Sequence, residues 1–181
     1  MSRADINPAD TERAARIDLA AVRHNVGVLR ERIRRPDGSR PLLTAVVKAD
    51  AYGHGAVAVA RAAAAAGADR LGVAHVREAL ALRAAGVRLP VLAWLHTGAT
   101  DFAAAVEAEV TLGVSGWDLD AVAAAVRGLR ARGGAGLDVR AVLHLKADTG
   151  LGRHGCTPER WQAFVARAAE LEAAGLVRVE G

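Results

Sequence analysis

Apolar residues follow two rhythms along this chain, a three-to-four-residue spacing and short unbroken runs, and the two alternate. Leu19, Val22, Val26, Leu29 and Ile33 recur at spacings of three and four, which predicts an amphipathic helix. Asp18 stands where its N-cap belongs, and Pro36-Asp37-Gly38-Ser39 ends it in a turn. Leu42 to Lys48 is a short apolar run and reads as a buried strand. A helix is expected over 56–66, closed by Gly67, then a strand from Leu71 to His75. The next helix, 76–85, should turn Val76, Leu80 and Ala84 inward and stop at Gly86. Val91 to Leu95 reads as a third strand. A short helix near 101–108 and a strand near 110–114 follow. Asp118 is placed to cap a helix running to about Arg132, and Gly133, Gly134 and Gly136 form a loop. Val139 to Lys146 reads as the fifth strand. Thr157-Pro158-Glu159 opens a helix to Ala174 with proline at its first position, and Gly175 stops it. Leu176 to Val179 begins a sixth strand.

Regular strand–helix units of about 20–30 residues imply a parallel sheet with helical crossovers. Periodicity alone allows an open doubly wound sheet or an incomplete (β/α)8 TIM-type barrel, with about five strands plus the start of a sixth. Residues 1–15 read as a polar leader and 16–181 as one domain. The 181 residues are enough for a sizeable core. Aromatics are only 3%, so that core must be built mostly from Ala, Val and Leu. No apolar run approaches the ~20 residues needed to cross a bilayer. The N-terminus lacks the apolar stretch of a secretory signal, and the lone Cys156 fits a reducing compartment, so a cytoplasmic location with no membrane association is expected. The net charge of +4 is spread along the chain without interleaved aromatics, which argues against nucleic acid.

One count changes the picture. Of the 24 Lys and Arg residues, only Lys48 and Lys146 are lysine. Arginine is permanently protonated and cannot act as a nucleophile, whereas a lysine amine can form a Schiff base. Lys48 falls at the C-terminal end of the first strand, where parallel-sheet proteins bind ligands. By the two-residue period it shares a face with Val46, read as buried. An amine drawn out of water gives up its proton more readily and can condense with an aldehyde. Tyr52 offers a hydroxyl for a phosphate or carboxylate, and Gly53 and Gly55 allow close backbone approach. The same spacing also fits an ordinary surface lysine before a glycine turn.

The second lysine ends a strand in which Val142, His144 and Lys146 alternate on one face. Arg153 follows in a glycine-rich loop and could clamp an anionic oxygen. Lys146 and Arg153 would repel each other if close and both charged. An ordinary strand–helix loop fits as well. Two other chemistries share these residues. Gly150, Gly152 and Gly155 satisfy the spacing of a dinucleotide-binding loop, although the helix starts beyond the third glycine and Asp148 would repel phosphate. His54, His75 and His96 follow successive strand ends, as zinc ligands on a barrel would, but with no H-x-H pair and few carboxylates. The expected metal content is none.

VVKADAYGHG at 46–55 resembles the cofactor-lysine motif of alanine racemases, and KADTGLGRHG at 146–155 resembles their later strand–loop motif. ARIDLAAVRHNV at 15–26 is similar to the family's opening helix, and LGVAHVREALALRAAG at 71–86 to its second strand and helix. The resemblance runs over roughly 14–181 in the family's order. It implies a β/α barrel followed by a mostly β domain that this chain lacks, and pyridoxal 5'-phosphate held as a Schiff base on Lys48. It further implies that Lys48 acts as the base for the D enantiomer. Tyr52 would bond the cofactor phosphate, and Arg153 would contact the phenolic oxygen and the substrate carboxylate. Lys146 matches a lysine carbamylated in many members, and a carbamate would remove its repulsion with Arg153. The substrate implied is alanine, the product D-alanine for peptidoglycan, and the assembly a homodimer. Asp50 stands where Asn is commoner, and Leu151-Gly152 where Met-Asn is frequent. The partner's catalytic tyrosine, the phosphate cup and the arginine facing the pyridine nitrogen would lie beyond Gly181, so the chain alone is expected to be inactive. A non-catalytic pyridoxal-phosphate-binding barrel carries a similar lysine and is the alternative.

Overall fold

The computed structural model describes residues 14–133 and 139–181; most of the expected leader, and Gly134 and Gly136 of the expected loop, lie outside the described residues. The elements are α1 (Leu19–Arg32), β1 (Thr44–Val46), α2 (Lys48–Gly53), α3 (Ala56–Ala65), β2 (Arg70–Val73), α4 (Val76–Ala84), β3 (Val91–Ala93), α5 (Phe102–Glu107), β4 (Val110–Val114), α6 (Leu119–Gly133), β5 (Ala141–Leu145), α7 (Pro158–Ala173) and β6 (Val177–Val179). All six strands are parallel and lie in sequence order, β1-β2-β3-β4-β5-β6. With a helix between successive strands, this is a partial β/α barrel. Among the described residues no helix is long and apolar enough to cross a membrane.

The two faces of the sheet differ in kind. Leu71, Val73, Val91, Leu112, Val114, Leu143 and Val177 point outward under the helices and are 0–1% exposed. They meet Ala79 and Leu82 of α4, Val122 and Val126 of α6, and Ala168 and Leu171 of α7 in one continuous core. Burying a Val or Leu side chain contributes about 1.5–3 kcal/mol, so this layer is the main source of stability. The alternate positions form the concave face and include Arg70, Trp94, His144 and Lys146. Arg70 on β2 reaches His144 on β5 and Glu180 beyond β6, each at 3.4 Å. In a flat sheet those strands would be about 14 and 19 Å away at ~4.8 Å per strand. The contact is possible because the sheet curls. Burial first, and then the Arg70 guanidinium, push the His144 imidazole below its ordinary pKa against the pull of Glu180.

Local signals explain most element ends. Asp18 Oδ1 accepts from the N–H groups of Ala20 and Ala21 and starts α1. Gly86 and Gly175 take left-handed backbone just past α4 and α7, where a side chain would be strained. Other expectations need correcting. β1 covers Thr44–Val46 rather than Leu42 to Lys48. The buried residues of α4 are Val76, Ala79 and Leu82, and Leu80 packs half-buried against the same core as expected, while Ala84 is exposed. Only Val26 of the α1 stripe is buried, and Leu29 is 49% exposed, because α1 packs mainly against α3 rather than the sheet.

Gly72 and Gly113 are needed for close approach. A Cβ on Gly72 would lie 2.6 Å from Cζ3 of Trp94, and one on Gly113 would lie 3.0 Å from Cδ of Lys146 and 3.1 Å from Cβ of Trp94. Two small residues on β2 and β4 thus leave the concave face room for the indole and the lysine stem. Gly72→Ala is expected to lower stability by about 1–3 kcal/mol through overpacking against Trp94. Urea denaturation checks this, and an unchanged midpoint would mean that the ring moves aside freely.

Candidate active site

Lys48 leaves β1 at its C-terminal end, half-buried, and the chain then does something the sequence does not suggest. Ala49, Asp50, Ala51 and Tyr52 all take left-handed backbone, with φ of 51, 54, 52 and 56°. Gly53 continues the positive φ. Left-handed helical geometry costs an L residue about 1–2 kcal/mol, so the segment is held against its preference. Several contacts hold it. Glu78 Oε1 accepts from Ala49 N–H at 2.7 Å. Asp50 Oδ1 accepts from Ala56 N–H at 2.6 Å, at the start of α3. Ala51 is buried, and its N–H donates to Val47 O at 2.9 Å. The result carries Tyr52 back toward Lys48, whose Nζ lies 5.7 Å from the tyrosine ring centroid. Lys48 has no acidic partner among the described residues, and Tyr52 is 61% exposed.

Glu78 ties this turn to the next strand end. Its Oε2 accepts from the N–H groups of Ala74 and His75, both at 2.9 Å. Burial works against its charge, but the N–H donors of His75, Ala49 and Ala74 outweigh it and hold the carboxyl below its ordinary pKa. One carboxylate on α4 therefore fixes both the segment after Lys48 and the end of β2. Val46, expected to be buried beside the lysine, is 39% exposed, and the buried residue is its neighbour Val47 at 1%. Val46 faces the concave side, where no helix covers it.

The second lysine lies deeper in polar contacts. Lys146 Nζ is 2.6 Å from Trp94 O and 2.8 Å from His154 Nδ1. Burial is the main cause that lowers its pKa; Asp118 pulls it up, and the nearby Arg153 charge lowers it further. The Arg153 charge thus reaches Lys146 through space, while Arg153 itself is exposed. His154 and Trp94 had not been singled out from the sequence. The left-handed φ of 58° at His154 is the local oddity that marks it, and the strand glycines facing Trp94 were the available signal for the indole. No hydrogen bond or ion pair among the described residues joins Lys48 and Tyr52 to Lys146 and Arg153.

The loop between them and α7 is closed on itself. Asp148 Oδ1 accepts from Gly150 N–H at 2.9 Å and Gly152 N–H at 3.0 Å. Asp148 N–H donates to Cys156 O, and Cys156 N–H to Lys146 O. A dinucleotide-binding loop would keep those glycine N–H groups for phosphate; here a carboxylate takes them, and α7 starts only at Pro158. The three histidines are not gathered either. His54 Nδ1 is satisfied by Ala51 O, His75 Nδ1 lies 3.3 Å from Leu95 O, and His96 is buried beside Phe102. Among the described residues no three His, Cys, Asp or Glu side chains are placed to hold a metal ion.

Residues 17–181 match the family described as alanine racemase, N-terminal domain. This chain belongs to the alanine racemase family. It is 47% identical over 175 residues to an alanine racemase of Frankia casuarinae, covering 95% of this chain and 42% of that one. It is 49% identical over 173 residues to one of Streptomyces coelicolor, covering 92% and 41%. Among solved structures, the alanine racemase from D-cycloserine-producing Streptomyces lavendulae superposes with a TM-score of 0.80 at 48% identity, covering 90% of this chain and 40% of that chain. The chain thus spans about two fifths of the length of these alanine racemases. The family places Lys48 and Lys146 in one domain, and the fold sets both at C-terminal strand ends, on β1 and β5.

Proposed function

We propose that the whole protein interconverts L- and D-alanine with pyridoxal 5'-phosphate held by the Lys48 amine. The observation that carries this reading is the left-handed turn after Lys48. It holds a half-buried lysine, with no acidic partner among the described residues, at the ligand-binding end of the sheet and brings Tyr52 back beside it. The surroundings fit an anionic cofactor. Gly53 and Gly55 face open space, since a Cβ on either would meet nothing within 4 Å. The bound cofactor would supply an electron sink for the charge that develops when the α-proton leaves. Lys48 Nζ is the group that holds or returns that proton on one face of the substrate. Tyr52 offers its hydroxyl to the phosphate. Arg153, exposed in the loop after β5, offers a guanidinium to the phenolic oxygen and to the substrate carboxylate. Alanine as substrate, D-alanine for peptidoglycan as product, a cytoplasmic location and a homodimer complete the proposal.

The test is borohydride reduction after incubation with pyridoxal phosphate, with peptide mass spectrometry. A pyridoxyl group on Lys48, well above Lys146 and the N-terminus, is the expected result. Indiscriminate labelling would remove the cofactor role of Lys48. Selective labelling without racemisation by the whole protein would favour the non-catalytic pyridoxal-phosphate-binding barrel.

A further inference from the structure

Behind Lys146 lies a polar cluster that this reading does not use: His154, His96, Asp118 and Ser115. His96 is 4% exposed and Asp118 0%. Among the described residues Ser115 Oγ and Asp118 Oδ2 have no hydrogen-bond partner, whereas Asp118 Oδ1 accepts from the N–H groups of Ser115 and Gly116. Asp118 thus sits at the start of α6, as its sequence position suggests, but turns its carboxylate back toward the end of β4. Burial is the main cause that pushes the His96 imidazole down to about 4, so that ring is neutral near neutral pH.

The hydrogen bonds of His154 fix where its protons are. Its Nε2 lies 3.2 Å from the backbone N–H of His96, which has no other acceptor among the described residues. Its Nδ1 lies 2.8 Å from Lys146 Nζ. A neutral imidazole has one N–H and one lone pair. Because a backbone amide can only donate, Nε2 must present the lone pair, and the proton is on Nδ1, pointing at the lysine. An ammonium has no lone pair with which to receive it. A neutral amine can accept from Nδ1 and still donate to Trp94 O, 2.6 Å away. The opposite tautomer would set Nε2–H against the His96 N–H. Its only anionic neighbour there among the described residues, Asp118 Oδ2, is at 4.0 Å, beyond hydrogen-bond reach.

We propose that His154 is a positioning residue that holds Lys146 as a free, nucleophilic amine. The charged and titratable groups around that amine are Asp118 at the start of α6, Arg153 and His154 in the loop, and neutral His96 after β3. Burial above all favours the neutral amine, Asp118 opposes it, and Arg153 adds to the effect of burial. A neutral amine is the form that adds to an electrophilic carbon, so His154 prepares Lys146 for modification. The inference goes beyond the cofactor role of Lys48 and is read out without turnover, so either can fail alone.

Two measurements test it in the whole protein. Nitrogen NMR of the imidazole, with the signal assigned by its loss in His154→Asn, reports the tautomer directly. Protonation of Nδ1 is expected; protonation of Nε2 overturns the proposal. Competitive acetylation by trace acetic anhydride, in carbon-dioxide-free buffer across a pH series, reports when Lys146 becomes reactive. Losing a hydrogen bond to the neutral amine in His154→Leu should raise that midpoint by about one pH unit, or tenfold less labelling at neutral pH. An imidazole that instead accepted from an ammonium would give the opposite sign, so a fall or no change overturns the proposal. The tautomer measurement uses the unaltered protein and stands even if the leucine variant folds poorly.

Discussion

Lys48→Arg is expected to abolish borohydride-trappable pyridoxyl at position 48 and to reduce racemisation by the whole protein at least ~10³-fold. Arginine keeps the positive charge and nearly the reach of lysine, but its guanidinium stays protonated and cannot condense with an aldehyde or take a proton. The fold should barely notice. Lys48 has no acidic partner among the described residues, and its ring contact with Tyr52 is a cation–π geometry that a guanidinium can also make. Stability should therefore change by no more than about 0.5 kcal/mol. Lys146→Arg is the matched control, because it alters the other lysine and should leave labelling at Lys48 in place. A Lys48→Arg protein that still racemises alanine near the unaltered rate would end the assignment.

The positions of both lysines were legible in the sequence because β/α alternation is carried by local signals. Asp18, Pro158, Gly86 and Gly175 each sit at an element end for a reason that works within one turn of chain. The parity of Val46 and Lys48 was legible too, but the depth of Val46 was not. Period two assigns a residue to a face, and only the curl of the sheet and the helix cover decide which face is dry. The concave side of β1 carries an exposed Val46, while Val47 is sealed under the helices. The left-handed segment was illegible for a stronger reason. Ala and Tyr disfavour that backbone, a single Asp tolerates it without predicting a run of four, and Ala49 is held there by Glu78, 29 residues later. His154 escaped similarly. As a loop histidine it is unremarkable; its partners Lys146 and His96 are eight and 58 residues away.

That dependence on one distant carboxylate makes Glu78→Ala the second large effect. Removing Glu78 strips the acceptors from the N–H groups of Ala49, Ala74 and His75 together. Hydrogen bonds to a charged group contribute roughly 1.5–3 kcal/mol each, less where water can replace the acceptor. Ala74 is buried and cannot readily recruit water, while Ala49 is exposed and can. A loss near 3 kcal/mol is therefore expected, read as a lowered urea midpoint. The functional loss should be larger than this figure suggests. With four non-glycine residues at about 1–2 kcal/mol of left-handed cost each, the turn relaxes first and Tyr52 leaves Lys48. Selective pyridoxyl labelling of Lys48 should fall even under conditions where the protein remains folded. Acidity provides an independent check. Because the folded carboxyl is held below 4.5, its contribution is fully present above that pH and is lost as pH falls through the lower folded value. Glu78→Gln keeps the shape without the titration, so that component of the acid-side loss should vanish in it. If Glu78→Ala leaves both the midpoint and the labelling of Lys48 unchanged, the left-handed turn is held by Asp50 and the burial of Ala51 instead.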